Sequence, residues 1–188
     1  MKTVKIVIVI LLLVSLIAGA YLLYNHLAPM MNSSTPQSNA AASEDRPKPP
    51  APDVVFYDAD GELHTLSEFR GKPVIMNFWA TWCGYCKMEM PYFENKFREY
   101  GDEIHFVMIN MTDGVRETVD KAAKYLEEEG YTFPSYYDTR QDAATKYPVM
   151  GLPVSYFIDA EGNVVAAQNG ALSEQMLQMG VDLLLKGE

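Results

Sequence analysis

The sequence predicts an α/β layer fold with added antiparallel strands, and three observations predict it. A short apolar run, Val74–Phe78, passes through Trp79-Ala80-Thr81-Trp82 and Cys83-Gly84-Tyr85-Cys86 into a segment of helical periodicity. Strand-like and helix-like segments then alternate, the pattern of a sheet covered by helices. Two pairs of strand-like segments, one leading and one late, each flank a turn that contains glycine.

The elements follow in order. Val54–Tyr57 and Glu62–Thr65 pair around Asp58-Ala59-Asp60-Gly61, and Val74–Phe78 is a strand apolar throughout save for Asn77. The helix leaving the cysteine pair runs to Tyr100. Cys86, Met90, Phe93, Phe97 and Tyr100 recur at intervals of four, three, four and three, which makes one buried face. Pro91 falls inside this helix and should kink it. Ile104–Asn110 is the next strand. Asp113 can cap a helix whose apolar face is Val115, Val119, Ala122 and Leu126, with Gly130 ending it. Thr132–Tyr137 is extended and Arg140–Tyr147 a short helix. Val154–Ile158 and Val164–Gln168 form a hairpin around Asp159-Ala160-Glu161-Gly162-Asn163, and Ser173 caps a last helix to about Lys186.

Upstream lies a different composition. Lys2 and Lys5 precede an uncharged run, Ile6–Tyr24, which as a helix is about long enough to cross a bilayer core of roughly 30 Å. Residues 1–27 therefore read as an N-terminal transmembrane anchor, its amino end cytoplasmic because the lysines precede the run. The rival is a cleaved signal peptide, since Ala18-Gly19-Ala20 resembles a cleavage site. No cysteine follows the run, which excludes a lipoprotein anchor, and on either reading residues 51–188 are extracytoplasmic. Residues 28–50, rich in Ser, Asn, Ala, Gln and Pro, make a tether too polar to bury a core. Formal charge is −10, and −12 once the two N-terminal lysines are set aside. That argues against nucleic-acid partners and against binding to an anionic membrane surface.

Cys83 and Cys86 are the only cysteines in the chain. A structural zinc site wants four ligands, and His26, His64 and His105 are too scattered to complete one. A structural disulfide closing so short a loop would constrain the unfolded chain little. At a strand-to-helix junction, the helix amides and dipole stabilise a thiolate on the first cysteine, and the second is near enough to form a disulfide with it. Cys83 at the helix start can meet solvent and is the attacking thiol; Cys86, facing inward, resolves the mixed disulfide. Glu89, one turn after Cys86 on the same face, can exchange the proton Cys86 needs, though an early-helix glutamate also simply complements the dipole.

The run Asn77-Phe78-Trp79-Ala80-Thr81-Trp82-Cys83-Gly84-Tyr85-Cys86, followed by Glu89 and Pro91 and later by Gly151-Leu152-Pro153-Val154-Ser155-Tyr156-Phe157-Ile158-Asp159, resembles the membrane-anchored thioredoxin-like thiol–disulfide oxidoreductases of the TlpA/ResA type. The resemblance covers roughly residues 51–186. It implies a thioredoxin-like fold with an N-terminal β-hairpin and a central helix–strand insert between Asp113 and Tyr137. It also implies a cis Pro153 beside the cysteine pair, with Leu152 pairing to an extended substrate, and a carboxylate at Glu89. Asn77 stands where thioredoxins bury an acid, which leaves proton handling to Glu89. Trp82 would shield Cys83 and, with Tyr85, Leu152 and Pro153, form the substrate-binding surface.

The activity so implied is reduction of protein disulfides outside the cytoplasm. It uses no cofactor beyond the reversible Cys83–Cys86 disulfide, draws electrons from a membrane thiol donor, and has apocytochrome c as the suggested substrate. Tyr85 departs from the Gly-Pro of thioredoxin, so an oxidant or isomerase of secreted proteins is the alternative. A Sco-like copper carrier is an alternative of another class, but it wants wider cysteine spacing and a dedicated histidine. A peroxide reductase lacks its Thr-x-x-Cys element here. Met76, Met90, Met108 and Met176 read as core filler rather than copper ligands.

Overall fold

The computed structural model describes Leu13, residues 15–19, Tyr21 and residues 48–186. The chain divides into two units, Met1–Arg46 and Pro47–Glu188, each taken by itself. In the first, the described residues are helical and exposed. Most of the expected span Ile6–Tyr24 lies outside the described residues, and among the described ones no helix is long and apolar enough to cross a membrane.

The second unit is built on one mixed sheet. Its strands are β1 (Val55–Tyr57), β2 (Leu63–Thr65), β3 (Val74–Trp79), β4 (His105–Asn110), β5 (Ser135–Tyr137), β6 (Val154–Ile158) and β7 (Val164–Asn169). Their spatial order is β2-β1-β5-β4-β3-β6-β7. β3, β4 and β5 run parallel, while β6 lies antiparallel on β3 with Asn77 opposite Ser155. The helices are α1 (Gly84–Tyr100), α2 (Val119–Glu129), α3 (Asp142–Lys146) and α4 (Glu174–Lys186).

The pleat sorts the central strands into two cores. Ile75 and Trp79 of β3, Phe106 and Met108 of β4 and Phe157 of β6 join Cys86, Met90 and Phe93 of α1, with Ala122 and Leu126 of α2 and Leu177 and Val181 of α4. Val74, Met76 and Phe78, with Val107, Ile109, Val154, Tyr156 and Ile158, point to the other face, against Phe56, Leu66, Ala143 and Tyr147. β3 is buried along its whole length, as a strand covered on both faces must be. The same alternation turns Asn77 and Ser155 towards α1.

α1 buries the expected face: Cys86, Met90 and Phe93 are enclosed, and Phe97 and Tyr100 are half-buried against the same core. Pro91 removes the amide that would reach the Lys87 carbonyl, yet the helix runs unbroken through it. Glu94, buried on α1, accepts from the Thr132 amide and hydroxyl at 2.7 and 2.6 Å and from the Phe133 amide at 3.3 Å. That ties the helix to the segment leading into β5.

Three expectations need correction. Asp113 does not cap α2; its carboxylate accepts the amides of Val115, Arg116 and Glu117 at 2.7–2.9 Å and closes a tight turn. The helix starts beyond that turn, with Thr118 capping the Lys121 amide, and ends at left-handed Gly130 (φ 72°). Val115 is consequently not on the apolar face of α2 but 90% exposed. Met176 is partly exposed on α4 rather than core filler.

α4 lies close to β6 because Gly180 has no side chain. A Cβ there would fall inside contact distance of the buried Phe157 ring. Gly180→Ala is expected to destabilise the domain by about 1–3 kcal/mol despite alanine's better helix propensity. Urea denaturation of the oxidised protein measures this.

Candidate active site

β3 ends at Trp79 and α1 begins at Gly84, so the cysteine pair sits where a parallel strand gives way to a helix N-terminus. Cys83 and Cys86 are disulfide-bonded, with Cα atoms 5.3 Å apart. Cys83 is the N-cap residue: its Sγ accepts the Cys86 amide at 3.1 Å and its carbonyl accepts the Lys87 amide. An amide aimed at that sulfur, together with the helix dipole, favours negative charge there once the bond is opened. Cys83 is less open than the sequence suggests. It is 5% exposed against 0% for Cys86, and both cysteines belong to the core beneath α1.

One turn along α1 from Cys86, Glu89 is 1% exposed. Its Oε1 accepts from Asn77 Nδ2 at 2.9 Å and its Oε2 from the Leu172 amide at 2.7 Å. Asn77 Nδ2 also donates to Ser155 Oγ at 3.0 Å, so the amide is held by the residue opposite it in the sheet. Burial pushes the Glu89 carboxyl up to about 7, while the bonds from Leu172 and Asn77 pull it only part of the way back. A carboxyl poised near neutrality can take or give a proton under ordinary conditions.

The loop before the cysteines is gripped from the side. Glu117, fully buried, accepts the Thr81 amide at 2.7 Å, the Thr81 hydroxyl at 2.6 Å and Asn110 Nδ2 at 2.7 Å. Its neighbour Arg116 lies over the Trp82 ring, 4.0 Å from the centroid. Nothing in the sequence singles out Glu117, since an acid in a charged stretch ordinarily faces water. The Leu172 amide, being backbone, carries no residue-type signal either.

The remaining predicted residues fall around the junction. Trp82 and Tyr85 are 42% and 67% exposed. Leu152 is half-buried and Pro153 buried, and the bond between them is cis, as the resemblance implied. Trp79 is fully buried and packs on Tyr125. Away from the junction, the first hairpin brings His64 to Asp58 and Glu62, with potential ligand atoms within 4.8 Å of one another. Its ring nitrogens, however, lie 3.4 Å from Asp58 and 3.3 Å from Glu68, an arrangement that hydrogen bonding to partly exposed carboxylates explains.

The profile of the AhpC/TSA family matches residues 47–167. The thiol-disulfide oxidoreductase ResA of Bacillus subtilis is 33% identical over 139 residues, which is 73% of this chain and 75% of that protein. The thioredoxin-like protein YneN of the same organism is 32% identical over 133 residues, covering 71% and 77%. Among solved structures, a thiol:disulfide interchange protein of the thioredoxin family from Chlorobium tepidum superposes with a TM-score of 0.65 at 26% identity, covering 75% of this chain and 99% of the other. The sheet order, the leading hairpin and the α2–β5 insert therefore form a thioredoxin-like domain. With the cysteine pair in place, the chain belongs to the AhpC/TSA family and, within it, to the thiol–disulfide oxidoreductases of the ResA type.

Proposed function

We propose that this protein is a membrane-tethered reductant of protein disulfides, acting on the extracytoplasmic side. Residues 1–27 would anchor it, 28–50 tether it, and 51–188 carry the chemistry. The observation that carries the chemical reading is the Cys83–Cys86 bond at the N-terminus of α1 with a buried carboxyl, Glu89, one turn away. Apocytochrome c is the substrate that the family resemblance suggests. Exported space is generally oxidising, so a reductant there needs electrons from a membrane thiol donor.

In the forward reaction the pair starts reduced. The Cys83 thiolate attacks one sulfur of the substrate disulfide, forming a Cys83–substrate bond as the other substrate sulfur leaves as a thiolate and takes up a proton. Glu89, ionised above about 7, accepts the Cys86 proton. The Cys86 thiolate then attacks Cys83 Sγ; the Cys83–Cys86 bond forms and the second substrate thiolate departs. Two electrons have passed to the substrate, and the donor restores them. Trp82, Tyr85, Leu152 and Pro153 would seat the substrate chain around Cys83.

Cys83→Ser is expected to abolish turnover, whereas Cys86→Ser accumulates a mixed disulfide that appears as a reducible adduct on non-reducing gels. Full activity in both variants contradicts the assignment. In wild-type protein the resolution rate should rise as pH passes about 7, because the carboxylate is the proton acceptor. Glu89→Gln should lose that inflection and slow resolution by about 10²-fold, read by stopped-flow at several pH values. The direction of electron flow is tested by the reduction potential of the pair. A value near roughly −270 mV fits a reductant, and one near roughly −120 mV an oxidant.

A further inference from the structure

Arg116 occupies an unusual place for an exposed cation in so acidic a domain. Its amide donates to Asp113 at 2.7 Å within a turn that also holds the amides of Val115 and Glu117. The next residue, Glu117, is buried and bound to Thr81 and Asn110. The backbone under Arg116 is thus fixed to the loop that delivers Cys83. Its guanidinium carbon lies over Trp82, the residue immediately before Cys83, 4.0 Å from the ring centroid. A guanidinium drawn to an aromatic face by its charge still has five N–H donors with which to meet an anionic partner. Among the described residues none accepts a hydrogen bond from these donors; the acid that feels the Arg116 charge is Asp113, whose carboxylate already holds three backbone amides.

We propose that Arg116, held over Trp82, is a specificity-determining residue that binds a carboxylate beside the substrate's disulfide, so that substrates with an acidic residue flanking the attacked cysteine are favoured. The inference rests on the reading that Cys83 attacks protein disulfides. A planar fork matches a carboxylate through two parallel hydrogen bonds, which a lysine cannot reproduce. A polyanion is a poor occupant, because the surrounding domain is strongly acidic and repels extended negative charge. A single carboxylate at the fork gains its two hydrogen bonds against a much smaller repulsion.

The test uses the full chain in its reduced form and three disulfide peptides that differ only in having Glu, Gln or Lys beside the attacked cysteine. The readout is the second-order rate of peptide reduction, expressed as the Glu:Gln and Glu:Lys ratios, so that general losses of activity cancel. From wild type to Arg116→Gln, the Glu:Gln ratio should fall about fivefold at low salt, the size of an exposed but well-aligned ion pair. The difference should shrink as salt is raised. Arg116→Lys should keep only part of the wild-type ratio, and Arg116→Glu should turn the preference towards the Lys peptide. Equal Glu:Gln ratios in wild type and Arg116→Gln overturn the proposal. A wild-type protein that reduces none of the three peptides overturns the underlying reading of Cys83, and this inference falls with it.

Discussion

A carboxyl group withdrawn from water beside a redox pair is the constraint on which much of this domain depends. Glu89 is enclosed to within 1% of its surface, and a buried carboxylate is costly unless every lone pair facing the protein is met. The partners come from three separate places: Asn77 on β3, Ser155 on β6 behind it, and the Leu172 amide ahead of α4. Satisfying one side chain therefore fixes the β3–β6 register and the docking of α4, which Gly180 allows to come close to Phe157. The compensation is partial. Burial still outweighs the two hydrogen bonds and leaves the carboxyl near neutrality, where a proton acceptor for Cys86 is useful.

A second grip acts on the other side of the pair. Glu117 binds the Thr81 amide and hydroxyl, and Arg116 covers Trp82, so the segment between β3 and α1 is held by a turn that Asp113 closes. The two acids divide the work. Glu117 restrains the backbone that presents Cys83, and Glu89 is the acid for which we propose proton exchange with Cys86. Glu117 takes three donors while Glu89 takes two.

What could be read from the sequence was what local patterns encode. The apolar run at Val74–Phe78, the four-three spacing after Cys86, the turn at Gly162 and the Ser173 cap each use neighbouring residues, and each stands in the structure. The failures have a common cause in longer-range contacts or competing local ones. Asp113 looked like a helix cap, but its carboxylate found three amides in a turn, and Thr118 took the capping role. Cys83 looked open because its position at the helix start is, yet in the disulfide it is part of the core and 5% exposed. Glu117 and Leu172 left no trace, because their roles exist only once distant segments meet. Most of the span expected over Ile6–Tyr24 lies outside the described residues.

The most direct measurement is the titration of the Glu89 side-chain carboxyl carbon by NMR in protein labelled with ¹³C, in both the oxidised and the reduced states. The account predicts a midpoint of about 7 in the oxidised form and one still well above an ordinary glutamate's once Cys86 carries a thiol. A midpoint near an ordinary glutamate's, about 4.3 in both states, would contradict it.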